Sequence, residues 1–306
     1  MLILSLLIVL FFVYRHAFGA NPKRLAADDE VPNEELYPEY TKEVGQKIRK
    51  IQETPFEEVR IRARDGVKLY GRYYHRQDGA PIVLMFHGYR SSCLRDGMGA
   101  FRFTEECGYN ILMVDQRAHR NSGGRTITFG VKERYDCLDW IEEMRARHGK
   151  DIKMILIGLS MGASTVLMAT GLDLPTNVKG VIADCGYSSP KEILREVIRT
   201  MKLPVGPAYF FVRLSALIYG GFDPNSASAG EALAASKVPV LLIHGEADSF
   251  VPCSMSQANY EACNSEKEIL IVPGADHGMS YMTDTPTYVK KFKGFLQRHF
   301  DGAEQE

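Results

Sequence analysis

The sequence predicts an α/β fold in which a mostly parallel central sheet carries helices on both faces. Short apolar runs of strand length alternate along the chain with amphipathic segments of helix length. One such run, 154–157, leads directly into Gly158-Leu159-Ser160-Met161-Gly162 and a small-residue helix start. Hydrophobic residues make up 45% of the 306 residues, which supports a sizeable core.

The predicted elements follow one another in an order typical of such a sheet. Two alternating strands, 57–64 and 67–75, flank an Asp65-Gly66 turn, so the sheet is expected to begin with an antiparallel pair. Buried strands are expected at 82–86, 111–114, 154–157, 178–183, 238–243 and 268–272. Helices are expected at 100–107 and 129–148, and the second has an apolar stripe of Val131, Tyr135, Leu138 and Ile141 that leaves Trp140 outside.

The Gly-x-Ser-x-Gly pattern between a strand and a helix is typical of a nucleophile elbow. Such a turn is tight, so glycine is expected two positions before and after Ser160. The strained backbone would present the Ser160 hydroxyl at the top of the sheet, above a helix N-terminus that favours negative charge. A serine hydroxyl is a poor nucleophile at neutral pH, so it needs a basic histidine that a carboxylate orients.

Three histidines follow Ser160, and the expected chain order is serine, acid and then histidine. His277 lies in a glycine-flanked loop after a short strand and is the expected base. His299 falls on the apolar face of a predicted helix at 288–300, and His244 ends a strand before any suitable acid.

Asp248, just past the strand at 238–243, is the expected acid. Glu246 is nearer the strand end and is the alternative. Asp276 ranks third, because its side chain and that of the adjacent His277 are expected to point apart. Asp248 follows Ser160 by 88 positions, which leaves room for additional elements between them.

These motifs resemble those of the α/β-hydrolases, and the chain is most similar to bacterial serine hydrolases of the serine aminopeptidase type. The similarity runs from about residue 55 to residue 300 and rests on the motifs at 86–89, 115–119, 158–162, 244–248 and 276–278. It implies an oxyanion hole formed by the backbone N–H groups of Tyr89 and Met161, with His87 as a brace for the loop. Asp115 and Arg117 are expected to form a structural ion pair.

The segment 188–229, between the sixth and seventh strands of the core, is expected to be a helical lid. Residues 193–201 are helix-like, and 209–219 form a second helix that is apolar nearly all round. Such a helix needs burial on more than one side, which favours a lid that lines an acyl pocket with Phe210 and Leu214. A plain helical pair packed on the surface is the alternative.

Residues 1–14 are apolar and uncharged, and as a helix they span about 21 Å. Extended to residue 20, with Arg15 reaching the interface, the segment could just cross a bilayer. An uncleaved single-pass anchor at 1–20 is expected, and the basic residues after it predict a cytoplasmic catalytic domain. A polar tether with one helix (43–53) would span 21–54, followed by the hydrolase domain at 55–302.

Composition narrows the function classes. The 37 basic and 38 acidic residues form no basic patch, so a nucleic-acid partner is not expected. The six cysteines show no CxxC pairing, and the histidines lack close ligand spacing, so neither a metal nor another cofactor is expected. The expected function is serine hydrolysis of acyl esters or thioesters through an acyl-enzyme, and the expected binding partner is a small-molecule acyl ester, thioester or amide. A serine aminopeptidase acting on small peptides, and a catalytically idle binding protein, are the alternatives.

Overall fold

One eight-stranded sheet organises the part of the chain that the computed structural model describes, residues 2–20 and 38–301. Its strands are β1 (Glu57–Arg62), β2 (Lys68–Tyr74), β3 (Ile82–Phe86), β4 (Asn110–Asp115), β5 (Met154–Leu159), β6 (Val178–Asp184), β7 (Val240–Gly245) and β8 (Lys267–Val272). They lie in the order β1-β2-β4-β3-β5-β6-β7-β8. The pairs β1–β2 and β2–β4 are antiparallel and the remaining pairs are parallel. The prediction of a mostly parallel sheet with an antiparallel start is confirmed.

Helices cover both faces of the sheet, which is why its central strands are apolar at almost every position. The helices are α1 (Leu2–Ala17), α2 (Pro38–Glu53), α3 (Cys93–Asp96), α4 (Met98–Cys107), α5 (Glu133–His148), α6 (Met161–Ala169), α7 (Pro190–Thr200), α8 (Val205–Ser215), α9 (Ala229–Ala235), α10 (Ser254–Ala262), α11 (Ser280–Thr283) and α12 (Thr285–Leu296). Two π-helical turns, Ala216–Gly220 and Gln297–Asp301, extend α8 and α12. In β3, Leu84 packs into one core cluster and its neighbours Val83 and Met85 into the other, as strand alternation requires.

Helix α5 differs from its prediction in start and in phase. It begins at Glu133, because Phe129 and Gly130 have positive φ angles and form a turn ahead of it. Its buried apolar face is Cys137, Trp140, Ile141 and Met144, with helical spacing. The predicted stripe, which left Trp140 outside, is wrong because it was started at Val131, before the helix begins.

The predicted ion pair between Asp115 and Arg117 does not form. The Arg117 guanidinium instead binds Asp136 of α5, at 2.6 Å from Nε, and Asp65 of the β1–β2 turn, at 2.8 Å from Nη1. Asp115 accepts hydrogen bonds from Asn121. The chain leaves β4 at Asp115 and turns, so the Arg117 side chain points toward α5 and ties this helix to the hairpin.

The N-terminal helix α1 packs against the domain through one face. Leu10 and Phe18 are completely buried, and the Phe18 ring meets Phe129 and Phe222 edge-on at 5.7 and 5.2 Å. Tyr14 donates or accepts a 2.8 Å hydrogen bond with Thr126 Oγ1. After the helix, Phe18 O accepts from Ile127 N at 2.8 Å and Ala20 N donates to Arg125 O at 2.9 Å.

The membrane-anchor prediction for residues 1–20 is wrong. In the described residues, no helix combines the length and the apolar character that crossing a bilayer requires. Helix α1 has 16 residues and a length of about 24 Å, and Arg15 and His16 occupy its last turn. The predictions of a single-pass membrane localisation and of a membrane partner are therefore wrong as well. The orientation that was derived from them no longer applies.

Of the predicted tether, residues 21–37 lie outside the described part of the chain. Its helix runs from Pro38 to Glu53, five residues longer at the start than predicted. Val44, Ile48 and Ile51 are buried at helical spacing, so this helix also packs on the domain.

The burial of Phe18, directly after α1, predicts that Phe18→Ala lowers the free energy of unfolding by about 3–5 kcal/mol, because it removes a fully buried ring. Phe12→Ala, at a ring that is 66% exposed, is the matched control and should change stability by no more than about 0.5 kcal/mol. Urea unfolding followed by tryptophan fluorescence measures both values. Equal, small effects of the two substitutions would contradict the packing of α1.

Candidate active site

Ser160 lies in a strained turn between β5 and α6. Its φ of 54° and ψ of −115° are unusual for a residue with a side chain. A Cβ on Gly158 would lie 2.2 Å from the carbonyl carbon of Gly162, and one on Gly162 would lie 2.0 Å from the carbonyl oxygen of Phe86. Both positions therefore require glycine. The backbone N–H of Ser160 donates to the carbonyl of Asp184 in β6 at 2.8 Å, which holds the turn over the sheet.

His277 reaches Ser160 from the loop between β8 and α11. Its Nε2 lies 3.0 Å from Ser160 Oγ, and its Nδ1 lies 2.7 Å from Asp248 Oδ2. A carboxylate only accepts hydrogen bonds, so Nδ1 carries the proton and Nε2 is left to accept the Ser160 hydroxyl proton. The structure thus brings the expected serine, base and acid into one hydrogen-bonded line.

Asp248 is buried and has partners on both of its oxygens. The N–H groups of Phe250 and Val251 donate to Oδ1 at 2.9 and 2.7 Å, and His244 Nε2 lies 3.1 Å from Oδ2. Burial alone would raise the pKa of Asp248, but hydrogen bonds from His244, His277 and the Val251 N–H hold that pKa well below its ordinary value. The carboxylate is therefore ionised across the neutral range.

The His244 contact was missed by the sequence analysis, which treated this residue only as the end of a strand. His244 also lies 2.6 Å from Ser256 Oγ through its Nδ1, and it is completely buried. The spacing of four residues between His244 and Asp248 across a tight strand-end turn is the signal that could have suggested the contact.

The alternative acids and bases lie elsewhere. Glu246 is exposed. Asp276 Oδ1 accepts from both the backbone N–H and the hydroxyl of Ser249 at 2.9 Å, so it holds the loop that carries Asp248. His299 lies against the Phe295 ring at 4.6 Å between centroids, in the packing position that was expected.

The loop that follows β3 lies beside Ser160 and is held by buried polar side chains. Gly88 N donates to Asp96 Oδ2 at 2.7 Å, and Arg90 N donates to His119 Nε2 at 2.9 Å. A Cβ on Gly88 would be 3.3 Å from that of Ser160. The Tyr89 peptide is therefore fixed close to the nucleophile, while Met161 is the first residue of α6.

His87 has the bracing role expected for it. Its Nε2 accepts from Gln116 N at 3.0 Å, and Gln116 Nε2 donates back to the His87 carbonyl at 2.5 Å. The His87 ring also packs edge-on against His119, with 4.7 Å between centroids. Two buried histidines thus connect the loop after β3 to the loop after β4.

An apolar cavity of about 800 Å³ opens above Ser160. Helix α7 lines it with Ile193, Leu194, Val197 and Ile198, helix α8 with Ala208, Phe211 and Val212, and helix α1 with Val9, Phe12, Val13 and His16. The contribution of α1 was missed, because the sequence analysis assigned this segment to a membrane. The basic lining residues are Arg15, His16 and Arg90, and no carboxylate lies among the described residues that form the wall.

The residues predicted to bind substrate, Phe210 and Leu214, do not line this cavity. Phe210 is 61% exposed on the outer side of α8, whereas its neighbours Phe211 and Val212 face inward. A helix that is apolar nearly all round has no sequence signal for its inward face, so the prediction chose the wrong side.

Cys185 lies behind the site and does not provide an open metal ligand. Its Sγ, the Asp248 carboxylate and a His277 nitrogen lie within 4.8 Å of one another. Burial raises the pKa of the Cys185 thiol well above its ordinary value, and Asp248 already binds both histidines. A thiol rather than a thiolate is a weak ligand, so the group fits the small buried side chain that was expected.

Asp184 is a second buried carboxyl group at this end of the sheet. It ends β6, and its Oδ1 accepts from Ser280 Oγ at 3.3 Å. Burial raises the pKa of Asp184 to about 6, although His244 and the hydroxyl of Tyr288 oppose the shift.

Asp184 should make stability depend on pH. Its folded pKa lies above the ordinary value of 3.8, so the folded state retains a proton that the unfolded state releases. The stabilisation that this retained proton contributes is fully present below about pH 4. It is lost as the pH rises through about 6, by at most about 1.4 kcal/mol per pH unit. Asp184→Asn has no carboxyl group to ionise and does not suffer this loss. The unfolding free energy of the variant minus that of the wild type should therefore rise from about pH 4 to about pH 6. A difference that stays flat from pH 4 to 7 would disprove this dependence.

The close contact at Gly162 predicts that Gly162→Ala impairs the site, since its Cβ must displace the β3 backbone at Phe86. We expect the free energy of unfolding to fall by about 1–3 kcal/mol or more. We also expect reduced labelling of Ser160 by a fluorophosphonate. Gly206→Ala is the matched control, because a Cβ there meets nothing within 4 Å. Normal labelling of the Gly162 variant would show that the turn tolerates a side chain.

Comparison with known proteins agrees with this architecture. Residues 77–209 match the family described as serine aminopeptidase, S33. The uncharacterised protein YqkD of Bacillus subtilis is 28% identical over 244 residues, which are 78% of this chain and 78% of YqkD. The esterase Pf2001 of Pyrococcus furiosus has 26% identity and a TM-score of 0.64, over 82% of this chain and 93% of its own.

A solved peptidase shares the fold as well. The acylaminoacyl peptidase of Pyrococcus horikoshii has a TM-score of 0.59 and 19% identity, over 84% of this chain and 44% of its own. An esterase and a peptidase therefore both occur among the solved structures that share this fold. The chain has the α/β-hydrolase fold, and its central part, residues 77–209, is similar to the serine aminopeptidases.

Proposed function

We propose that this chain is a serine hydrolase that cleaves acyl esters and thioesters through Ser160, His277 and Asp248. One observation carries the proposal: a hydrogen-bonded line from Asp248 through His277 to Ser160 ends at an apolar cavity. The strained backbone at Ser160 supports it, because a binding protein gains nothing from holding a serine in such a conformation.

Acylation begins with attack of Ser160 Oγ on the carbonyl carbon of the ester. His277 Nε2, at 3.0 Å, takes the hydroxyl proton as the new carbon–oxygen bond forms. The carbonyl electron pair moves onto its oxygen, and we assign the N–H groups of Met161 and Tyr89 as donors to that oxyanion. Asp248 stays ionised and stabilises the imidazolium without taking its proton, in keeping with its low pKa.

Collapse of the tetrahedral intermediate breaks the bond to the alcohol or thiol, which receives the proton from His277. The acyl group remains on Ser160. A water molecule then attacks the acyl-enzyme while His277 takes its proton, and the carboxylic acid leaves as Ser160 regains a proton. Each step uses only groups of this chain, the substrate and water.

The cavity favours an apolar acyl group over a peptide N-terminus. Its volume of about 800 Å³ lies within the range of about 300–1,000 Å³ of ligand sites, and its wall is mainly aliphatic and aromatic. An aminopeptidase needs an anion for the substrate ammonium, whereas the charged groups at this wall are the basic residues Arg15, His16 and Arg90. This observation ranks the ester hydrolase ahead of the peptidase.

The proposal predicts that Ser160→Ala and His277→Ala each lower kcat by several orders of magnitude, because the three residues act as a unit. Ser160→Ala should also abolish fluorophosphonate labelling. His299→Ala is the matched histidine control, since that ring packs on Phe295 away from Ser160, and it should retain turnover. Labelling that persists without Ser160 would refute the nucleophile assignment.

The same purified protein decides between the two reactions. p-Nitrophenyl esters release p-nitrophenolate and aminoacyl p-nitroanilides release p-nitroaniline. Both leaving groups are coloured, so the two reactions can be followed by absorbance and compared by kcat/KM. Higher activity on the esters is expected. Higher activity on the aminoacyl amides would instead support an aminopeptidase.

A further inference from the structure

We infer that helix α1 is a wall of the acyl site and sets the acyl lengths that the enzyme accepts. This inference rests on the proposed ester hydrolysis. It assigns a specificity role to a segment whose composition alone suggests a membrane anchor. The occupant to which it commits is the alkyl chain of the substrate, because the cavity ends at Ser160.

Helix α1 presents different faces to the domain and to the cavity. Leu10 and Tyr14 are buried four residues apart and bind the helix to the domain. Val9, Val13 and His16 follow one another at spacings of four and three residues and line the cavity. The helical repeat therefore presents a second face, Val9, Val13 and His16, to the space above Ser160, and this is the groove face of α1.

The helices of the 188–229 insertion line the same cavity as α1. Ile193 and Val197 of α7 and Phe211 of α8 belong to its wall, and α8 also packs against α1. The π-helical turn after α8 is fixed to α1, because Tyr219 donates its hydroxyl proton to the Leu7 carbonyl at 2.9 Å. The Tyr219 ring also packs edge-on against Phe11, at 5.5 Å between centroids.

The other end of α1 is joined to the loop beside the nucleophile. Tyr89 donates its hydroxyl proton to the Ala17 carbonyl at 2.8 Å, and Arg90 Nη2 donates to the His16 carbonyl at 2.5 Å. These contacts fix the distance between the groove face and Ser160. A wall at a fixed distance from the reacting carbonyl can measure the length of the acyl group attached to it.

The mouth of the cavity is apolar on both sides. Phe12 of α1 is 66% exposed, and Met201 after α7 is 56% exposed, yet both belong to the lining. An alkyl chain extending from Ser160 would cover such surface, which otherwise faces water. Longer chains gain contact with α1 until they pass Phe12.

The test uses substitutions on α1 that either narrow the cavity or remove apolar surface from its wall. It then measures the preference for long over short acyl chains. Val13→Phe adds bulk to the groove face, and Phe12→Ser removes apolar surface at an exposed position where folding is not at risk. Ile8→Phe and Leu4→Ser are the matched controls, on exposed positions outside the cavity lining. The measured quantity is the ratio of kcat/KM for p-nitrophenyl decanoate to that for p-nitrophenyl acetate.

We expect each groove variant to lower this ratio by about tenfold or more, equivalent to losing the contacts of about two methylene groups. Both controls should keep the wild-type ratio. An unchanged ratio in Val13→Phe and Phe12→Ser, or an equal change in the controls, would overturn the inference.

A binding measurement separates failure of this inference from failure of the proposed function. The fluorescent fatty acid cis-parinaric acid is titrated into protein carrying Ser160→Ala, with and without Val13→Phe or Ile8→Phe. Weaker binding only with Val13→Phe supports the wall even if the wild type hydrolyses no ester. Ester hydrolysis together with binding that Val13→Phe leaves unaltered would retain the proposed function and reject the wall.

Discussion

The close approach of Gly162 to the carbonyl of Phe86 is the constraint on which the site depends. It allows α6 to start directly against β3, and Ser160 at the end of β5 then takes a strained backbone conformation with positive φ. The same approach brings the loop after β3 beside the nucleophile, where Gly88 leaves room for the Ser160 side chain. Because the strands are parallel, β7 and β8 end at the same edge and deliver Asp248 and His277 there.

Much of the fold could be predicted because central parallel strands are buried on both faces and therefore appear as continuous apolar runs. The members of the hydrogen-bonded line could be predicted from local motifs, since each follows a strand end with a recognisable turn. Contacts between residues that are distant in the sequence could not be predicted in this way. Arg117 binds Asp136 and Asp65, and neither contact has a local signal. Helix α8 is apolar on several sides, so only tertiary packing decides that Phe211 faces the cavity.

The N-terminal segment illustrates a more general limit. Hydropathy measures how strongly a segment avoids water, but it does not state which apolar surroundings receive it. In this protein Leu10 and Phe18 are buried against the domain itself, while Phe12 lies at the mouth of the cavity. The helix also ends at Ala17 after 16 residues, a boundary that the apolar composition of the segment did not indicate.

The placement of α1 has a practical consequence for preparing the protein. Apolar leaders are routinely deleted to improve expression yield, and a fusion partner is often attached in their place. Here such a deletion would take Leu10 and Phe18 from the core and leave Tyr89 and Arg90 without their acceptors on α1. Measurements on the shortened chain would then describe a pocket that lacks the α1 side of its lining, and ligands selected against it would fit a surface that the chain with α1 does not present.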